Sequence, residues 1–455
     1  MLKTANIDDL ENKKISKLLW QYAIPAIIGT TVNALYNIID RFFLGNAPDL
    51  GDDAISAIGI ALPLMTVMTA VGMLVGAGSA SRISIYMGMG DKESAEKVLG
   101  NALLLSLLFT LPTTVILLVF TNSILTLSGA DGKVFEYAQE FLYYLLPGSI
   151  FATMCFGFNN MMRASGYPQK AMFTMLISVV ANIILAPLFI FVFKLGIKGA
   201  AIATVISMFI GLCFVMHHFM NRNSMLRLRW SYVRLDAKIV KAIVSIGLSP
   251  FFIQISASTV IFLIIHQLQI YGGKVAVGAY TIANTLVMLI LMTMIGLTQG
   301  MQPIVGYNYG AKRFNRVKET LNYTIKVGIC IGAIGLIIGL LLPDIIVKPF
   351  NPSPLLATES ARALNIVTLM LPLVGFQIVV TNFFQSIGMA KKSIFLSLSR
   401  QFLVLVPALF ILPHFFHIDG VWMSLPVADL LSTLLTTALF LWQLRQFKMM
   451  NIEQA

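Results

Sequence analysis

Ionisable side chains are scarce in the long apolar stretches of this chain, and the few present mark where chemistry can occur. Asp40 stands in NALYNIIDRFFLG, preceded by Asn33, Tyr36 and Asn37 at spacings that place all four on one helix face. At 1.5 Å per residue, Asp40 lies about 34 Å along a helix from Lys17, near the far end of a membrane-length segment. A carboxylate beside two amides and a phenol can exchange a proton or a sodium ion. The plainer reading is a helix cap, or a pair with adjacent Arg41 near the headgroups. An ionisable group in the bilayer interior costs at least ~2.5 kcal/mol, so each is a functional candidate. Asp429 in GVWMSLPVAD either couples ions or makes a structural hydrogen bond behind Pro426. Arg400 either functions or snorkels to the cytoplasmic surface. His266 either titrates near neutral pH or sits at the outer interface.

Uncharged polar residues form a second group: Asn160, Asn182, Thr204, Gln254, Asn284, Gln377 and Asn382 all interrupt apolar runs. They either line a cavity or bond helix to helix. The 24 Met and 31 Phe suit an adaptable apolar surface, although most such residues in a membrane chain pack helices or face lipid. Cys155, Cys213 and Cys330 lie far apart and read as small buried hydrophobes. No P-loop, HExxH or CxxC motif occurs, so no resident metal or cofactor is expected.

The elements that position these residues follow from composition. Of 455 residues, 57% are hydrophobic and 11% charged, with mean hydropathy +0.83. Soluble globular chains carry about 25% charged residues, which argues against a soluble enzyme, a nucleic-acid binder or a disordered protein. Twelve spans of roughly 20 apolar residues or more are read, near 17–42, 54–80, 98–121, 138–162, 171–193, 199–220, 243–270, 276–302, 321–342, 362–385, 394–413 and 420–441. The mixed-charge residues 1–17 do not form a cleavable signal, and the first span is expected to direct its own insertion. With cytoplasmic termini, 25 of the 32 basic residues fall in cytoplasmic segments. The net charge of +12 is thus a topology signal, and nucleic acid is not needed to explain it.

The spans are duplicated. AISAIGIA (54–61) returns as AVGAYTIA (276–283); Asn160, Gly166 and Lys170 return as Asn382, Gly388 and Lys392; Leu146-Pro147 returns as Leu371-Pro372. Separations stay between 221 and 225 residues. The expected fold is therefore all-α: two six-helix bundles related by a pseudo-two-fold along the membrane normal. Residues 1–220 form an N-terminal lobe, 221–241 a basic cytoplasmic connector and 242–455 a C-terminal lobe. Two lobes rocking about a central cleft describe a secondary transporter.

Several segments carry a family resemblance: YNIIDRFFLG, GAGSASRISIYMGMGDKESAEKV, FNNMMRASGYPQKAM, GLTQGMQPIVGYNYGAKRFNRVK and SRQFLVLVPALFILPHFFHIDGVWMSLPVAD. Over essentially its full length the chain resembles multidrug and toxic compound extrusion (MATE) transporters, in the bacterial branch with DinF-like and MepA-like proteins. The resemblance implies export of amphipathic organic cations or other toxic compounds against inward proton or sodium flow. It also implies a bacterial inner-membrane location and small drug-like partners, with the chain working as a monomer in lipid. Carried over, the N-lobe coupling site falls on Asp40, Asn182 and Thr204; Tyr36, Asn37, Asn160, Gln254, Asn284, Gln377 and Asn382 stay cavity-lining candidates on their polarity within the spans. Two departures matter. The family's N-x-x-x-D acid is Ala186 here, and a seventh-span acid of some relatives is Gln254. A flippase for lipid-linked precursors would need a cavity rich in arginine, and an intramembrane enzyme a nucleophile–base or metal pair. Neither pattern occurs.

Overall fold

The computed structural model describes residues 7–45, 51–350 and 353–452, and within these the side chains of 7–8, 33–42, 45, 51–52, 55, 444 and 447–452 lie outside the described residues. Helix dominates, and no strand occurs among the described residues. The first six spans are Ile15–Gly45, Gly51–Gly88, Lys92–Leu127, Gly132–Ala164, Pro168–Pro187 continued by a π turn Leu188–Val192, and Gly196–Met220. The 74-residue helix Ala237–Gly310 is far longer than a bilayer needs, and it breaks at Gly273 (φ 62°, ψ −159°) into spans seven and eight. Phe314–Leu341 is span nine. Pro354–Val367 and Leu371–Ser386 meet at a 49° bend and together make span ten. Ala390–Leu398 and the π turn Ser399–Leu405 lead into Val406–Ile452, which breaks at His417 (φ 51°, ψ −130°) and so completes spans eleven and twelve. The π turn spans Leu403, whose carbonyl loses its helical donor because Pro407 has no N–H.

The chain packs as two compact units, one comprising residues 1–9 and 28–254 and the other 10–27 and 255–455. The core of the first unit gathers Leu44, Leu64, Phe141, Leu146, Ala186 and Ala203. In it span two approaches the start of span seven so closely that a Cβ on Gly247 would fall 1.7 Å from the Leu74 carbonyl oxygen. The basic connector is held to this unit by Glu96, which is 2% exposed. Glu96 pairs with Arg229 at 2.7 Å and accepts the Arg227 N–H at 3.2 Å, while Asn101 accepts the Asp236 N–H at 2.8 Å.

The second unit has its own core around Leu268, Tyr280, Leu364, Leu409 and Trp422. Residues preceding span one dock on it. Glu11 accepts from the Tyr307 hydroxyl at 2.7 Å and pairs with Arg313 at 3.2 Å, and Arg316 donates to the carbonyl of Lys13 at 2.9 Å.

Duplication is visible in the backbone itself. Left-handed turns recur in pairs: Gly90 with Lys312, Gly166 with Gly388, and Lys194 with His417. Asn159 donates to the Ala171 carbonyl at 2.7 Å, and at the corresponding positions Ser393 donates to the Thr381 carbonyl at 3.1 Å. Large apolar side chains such as Val119, Phe262, Phe415 and Leu434 are more than half exposed, the pattern of a surface solvated by lipid. Cys213 and Cys330 share that surface, and only Cys155 is buried. The expectation that all three lie inside is corrected: an apolar thiol is as well accommodated against acyl chains as in a core.

Candidate functional site

Within the first unit, Asn182 sits on span five and Thr204 on span six, both buried. The Asn182 amide donates to the Thr204 hydroxyl at 3.3 Å, and that hydroxyl donates to the Ala200 carbonyl at 3.0 Å. The Asn182 Oδ1 has no hydrogen-bond partner among the described residues. A buried amide oxygen left so costs about 1–3 kcal/mol unless a proton donor, water or cation meets it. One turn further, Ala186 is fully buried in the apolar core. Spans five and six thus offer only neutral oxygens, and a cation held there takes its counter-charge from elsewhere. Asp40, Tyr36 and Asn37 lie on the Ile15–Gly45 helix, but their side chains are outside the described residues.

The second unit holds a charged pair that the sequence suggested only as separate residues. Arg400, on the π turn of span eleven, sends Nε and Nη2 to the same Asp429 oxygen at 2.8 and 2.7 Å. Arg400, read from the sequence as either functional or snorkelling, is paired with a carboxylate on span twelve and is 33% exposed. Gln377 of span ten closes the cluster: its amide donates to the Asp429 carbonyl at 2.6 Å, Ser432 Oγ at 2.8 Å and Thr433 Oγ1 at 2.5 Å. Gln377 Oε1 and Trp422 Nε1 are buried without a partner among the described residues. No sequence period links positions 377, 400 and 429; only the adjacency of spans ten, eleven and twelve brings them together.

The remaining candidates scatter. Asn160 is buried and accepts from Arg163 at 2.5 Å, so it serves the end of its own helix. Asn382, Gln254 and Asn284 are half-buried. His266 is exposed and stacks on Phe262 with the ring centroids 6.3 Å apart. No group of three or more His, Cys, Asp or Glu side chains suited to a metal occurs among the described residues.

Comparison with known proteins places these elements in context. The MatE family model matches residues 25–188 and 250–411. A multidrug export protein MepA of Staphylococcus haemolyticus is 28% identical over 428 residues, covering 94% of each chain. MepA of Staphylococcus aureus is 26% identical over 442 residues, covering 95% of each. Among solved structures, a ligand complex of the MATE multidrug transporter DinF-BH superposes with a TM-score of 0.90 at 35% identity, over 98% of this chain and 99% of that one. An outward-facing multidrug resistance MATE transporter matches with a TM-score of 0.90 at 26% identity, over 98% of this chain and 99% of its own.

Proposed function

The chain belongs to the MatE family, whose members are transporters and not enzymes, and on that footing we propose that it exports amphipathic organic cations and other toxic compounds by alternating access, driven by inward flow of protons or sodium. The full-length match to multidrug exporters is the observation that carries this reading. It acts in the bacterial inner membrane as a monomer, with both termini cytoplasmic and drug-like molecules as cargo.

Asp40 takes up a proton or sodium ion from outside. Asn182 and Thr204 form a neutral dipole pair that supports the site, and the unpartnered Asn182 oxygen is an acceptor such an ion can use. Neutralising Asp40 removes the cost of moving a charged side chain through the apolar phase, and so lets the cycle proceed. With Ala186 in place of a second acid, Asp40 has no carboxylate neighbour at that position to raise its proton affinity. The Arg400–Asp429 pair is the secondary candidate for coupling, in the other unit.

The test is efflux of a fluorescent cation from membrane vesicles, with proton and sodium gradients imposed separately. Asp40→Asn is expected to abolish gradient-driven efflux at unchanged expression. Efflux equal to the unmodified protein's would overturn the coupling role.

A further inference from the structure

A cavity of about 370 Å³ lies apart from every site described above, entirely within the second unit. Lys14, Ile15 and Ser16 line it from the start of span one, and Glu319, Asn322, Tyr323 and Lys326 from the first turns of span nine. Its volume is at the small end of ligand pockets, about 300–1,000 Å³, and is enough for a compact polar group.

The chemistry at its mouth favours an anion. Lys14 and Lys326 are exposed, and neither is within ion-pair distance of a carboxylate among the described residues. The Ile15–Gly45 helix begins here, and its first intrahelical bond runs from Leu18 N–H to the Lys14 carbonyl. The N–H groups of Ile15, Ser16 and Lys17 therefore have no acceptor within the helix, at its positive end. The Ser16 hydroxyl and Asn322 amide add neutral donors.

What lies beside the cavity identifies the anion's carrier. The Trp20 indole donates to the Tyr323 hydroxyl at 3.2 Å, and Trp20 is 36% exposed. Tryptophan and tyrosine concentrate at the level where headgroups meet acyl chains. One turn beyond Trp20, Ile24 is 50% exposed, and on span nine Ile329 is 39% exposed. On span one Lys14, Trp20 and Ile24 follow in the order of a phospholipid, as cationic head, aromatic collar and apolar flank; on span nine Lys326 stands one turn past Tyr323, beside the collar, and Ile329 follows it. A free phosphate ion would use only the first of the three.

We propose that this cavity binds the headgroup of an anionic glycerophospholipid, with its phosphate between Lys14 and Lys326 and an acyl chain along the exposed isoleucines. Glu319 sets a limit on the headgroup. Its carboxylate repels a second negative charge but accepts from a hydroxyl, so phosphatidylglycerol is preferred over phosphatidic acid. The assignment does not rest on the transport reading.

The experiment uses the full chain in nanodiscs of phosphatidylcholine, with or without a minor fraction of phosphatidylglycerol, read by thermal unfolding and by native mass spectrometry. Phosphatidylglycerol is expected to raise the melting temperature by several degrees. The double variant K14Q/K326Q is expected to lose more than half of that increment and one retained lipid. K318Q/K391Q, which neutralises exposed lysines outside the cavity, is expected to keep both. Comparing increments rather than absolute melting temperatures removes any effect of a variant on folding. An increment unchanged in K14Q/K326Q, or lost equally in K318Q/K391Q, overturns the site. Inorganic phosphate reproducing the whole increment in pure phosphatidylcholine overturns the lipid assignment.

Discussion

Both guanidinium nitrogens of Arg400 that contact Asp429 reach one carboxylate oxygen, so the pair is held by geometry as well as charge. Breaking such a pair strands a charge, whereas removing it whole strands nothing. Arg400→Met alone is expected to destabilise by roughly 3 kcal/mol, toward the low end for buried pairs because Arg400 is 33% exposed. The double variant Arg400→Met/Asp429→Leu is expected to recover most of that loss in a detergent melting curve. If the double variant melts normally yet no longer exports, the pair serves transport; if it exports normally, the pair is structural. Glu11 offers a pH-dependent case. The Tyr307 hydroxyl, with Arg313 beside it, holds the Glu11 carboxyl below the usual value. Because the folded value is the lower one, the stabilisation is complete above the unfolded value of about 4.3 and is lost as pH falls through the folded value. Glu11→Gln should therefore melt below the unmodified protein at neutral pH by an amount worth up to about 1 kcal/mol, and the difference should shrink in acid and vanish once pH is below the lowered folded value.

At the level of elements, close approach decides what a helix tolerates. Gly247 has no room for a methyl group against Leu74, whereas nothing lies within 4 Å of a Cβ placed on Gly59. Gly247→Ala is expected to cost about 1–3 kcal/mol or more by overpacking, and Gly59→Ala to be neutral or stabilising by about 0.5–1 kcal/mol. Paired melting curves of the two variants check this. These elements were largely legible in the sequence, because the bilayer sets both length and apolarity, and twelve such stretches could be counted directly. The break at Gly273 was legible as the gap between the apolar runs 243–270 and 276–302, whereas the π turns were not. The widened turn before Pro407 leaves no compositional mark, because it depends on which carbonyl finds a new donor. Asn182 and Thr204 were legible as a pair through resemblance, and the structure bonds them. Gln377, Arg400 and Asp429 were legible singly but not as a cluster, since nothing in a linear chain says which spans are neighbours.

For the whole molecule, the basic residues make an orientation that can be tested. In a cysteine-free background, single cysteines at Lys92, Arg229 or Lys312 should be shielded from an impermeant maleimide in intact cells. Cysteines at Lys133 or Lys274 should react. Reversal of that pattern would invert the topology proposed above. The membership of the two compact units reaches further. Residues 10–27 belong with the second unit, and residues up to 254 with the first, so the sequence halves are not the packing units. A gene divided in the connector would yield fragments that each carry a piece of the other's interior. Neither polypeptide could complete its own core alone, so such a split protein should accumulate only when both fragments are co-expressed, each acting as the other's assembly factor.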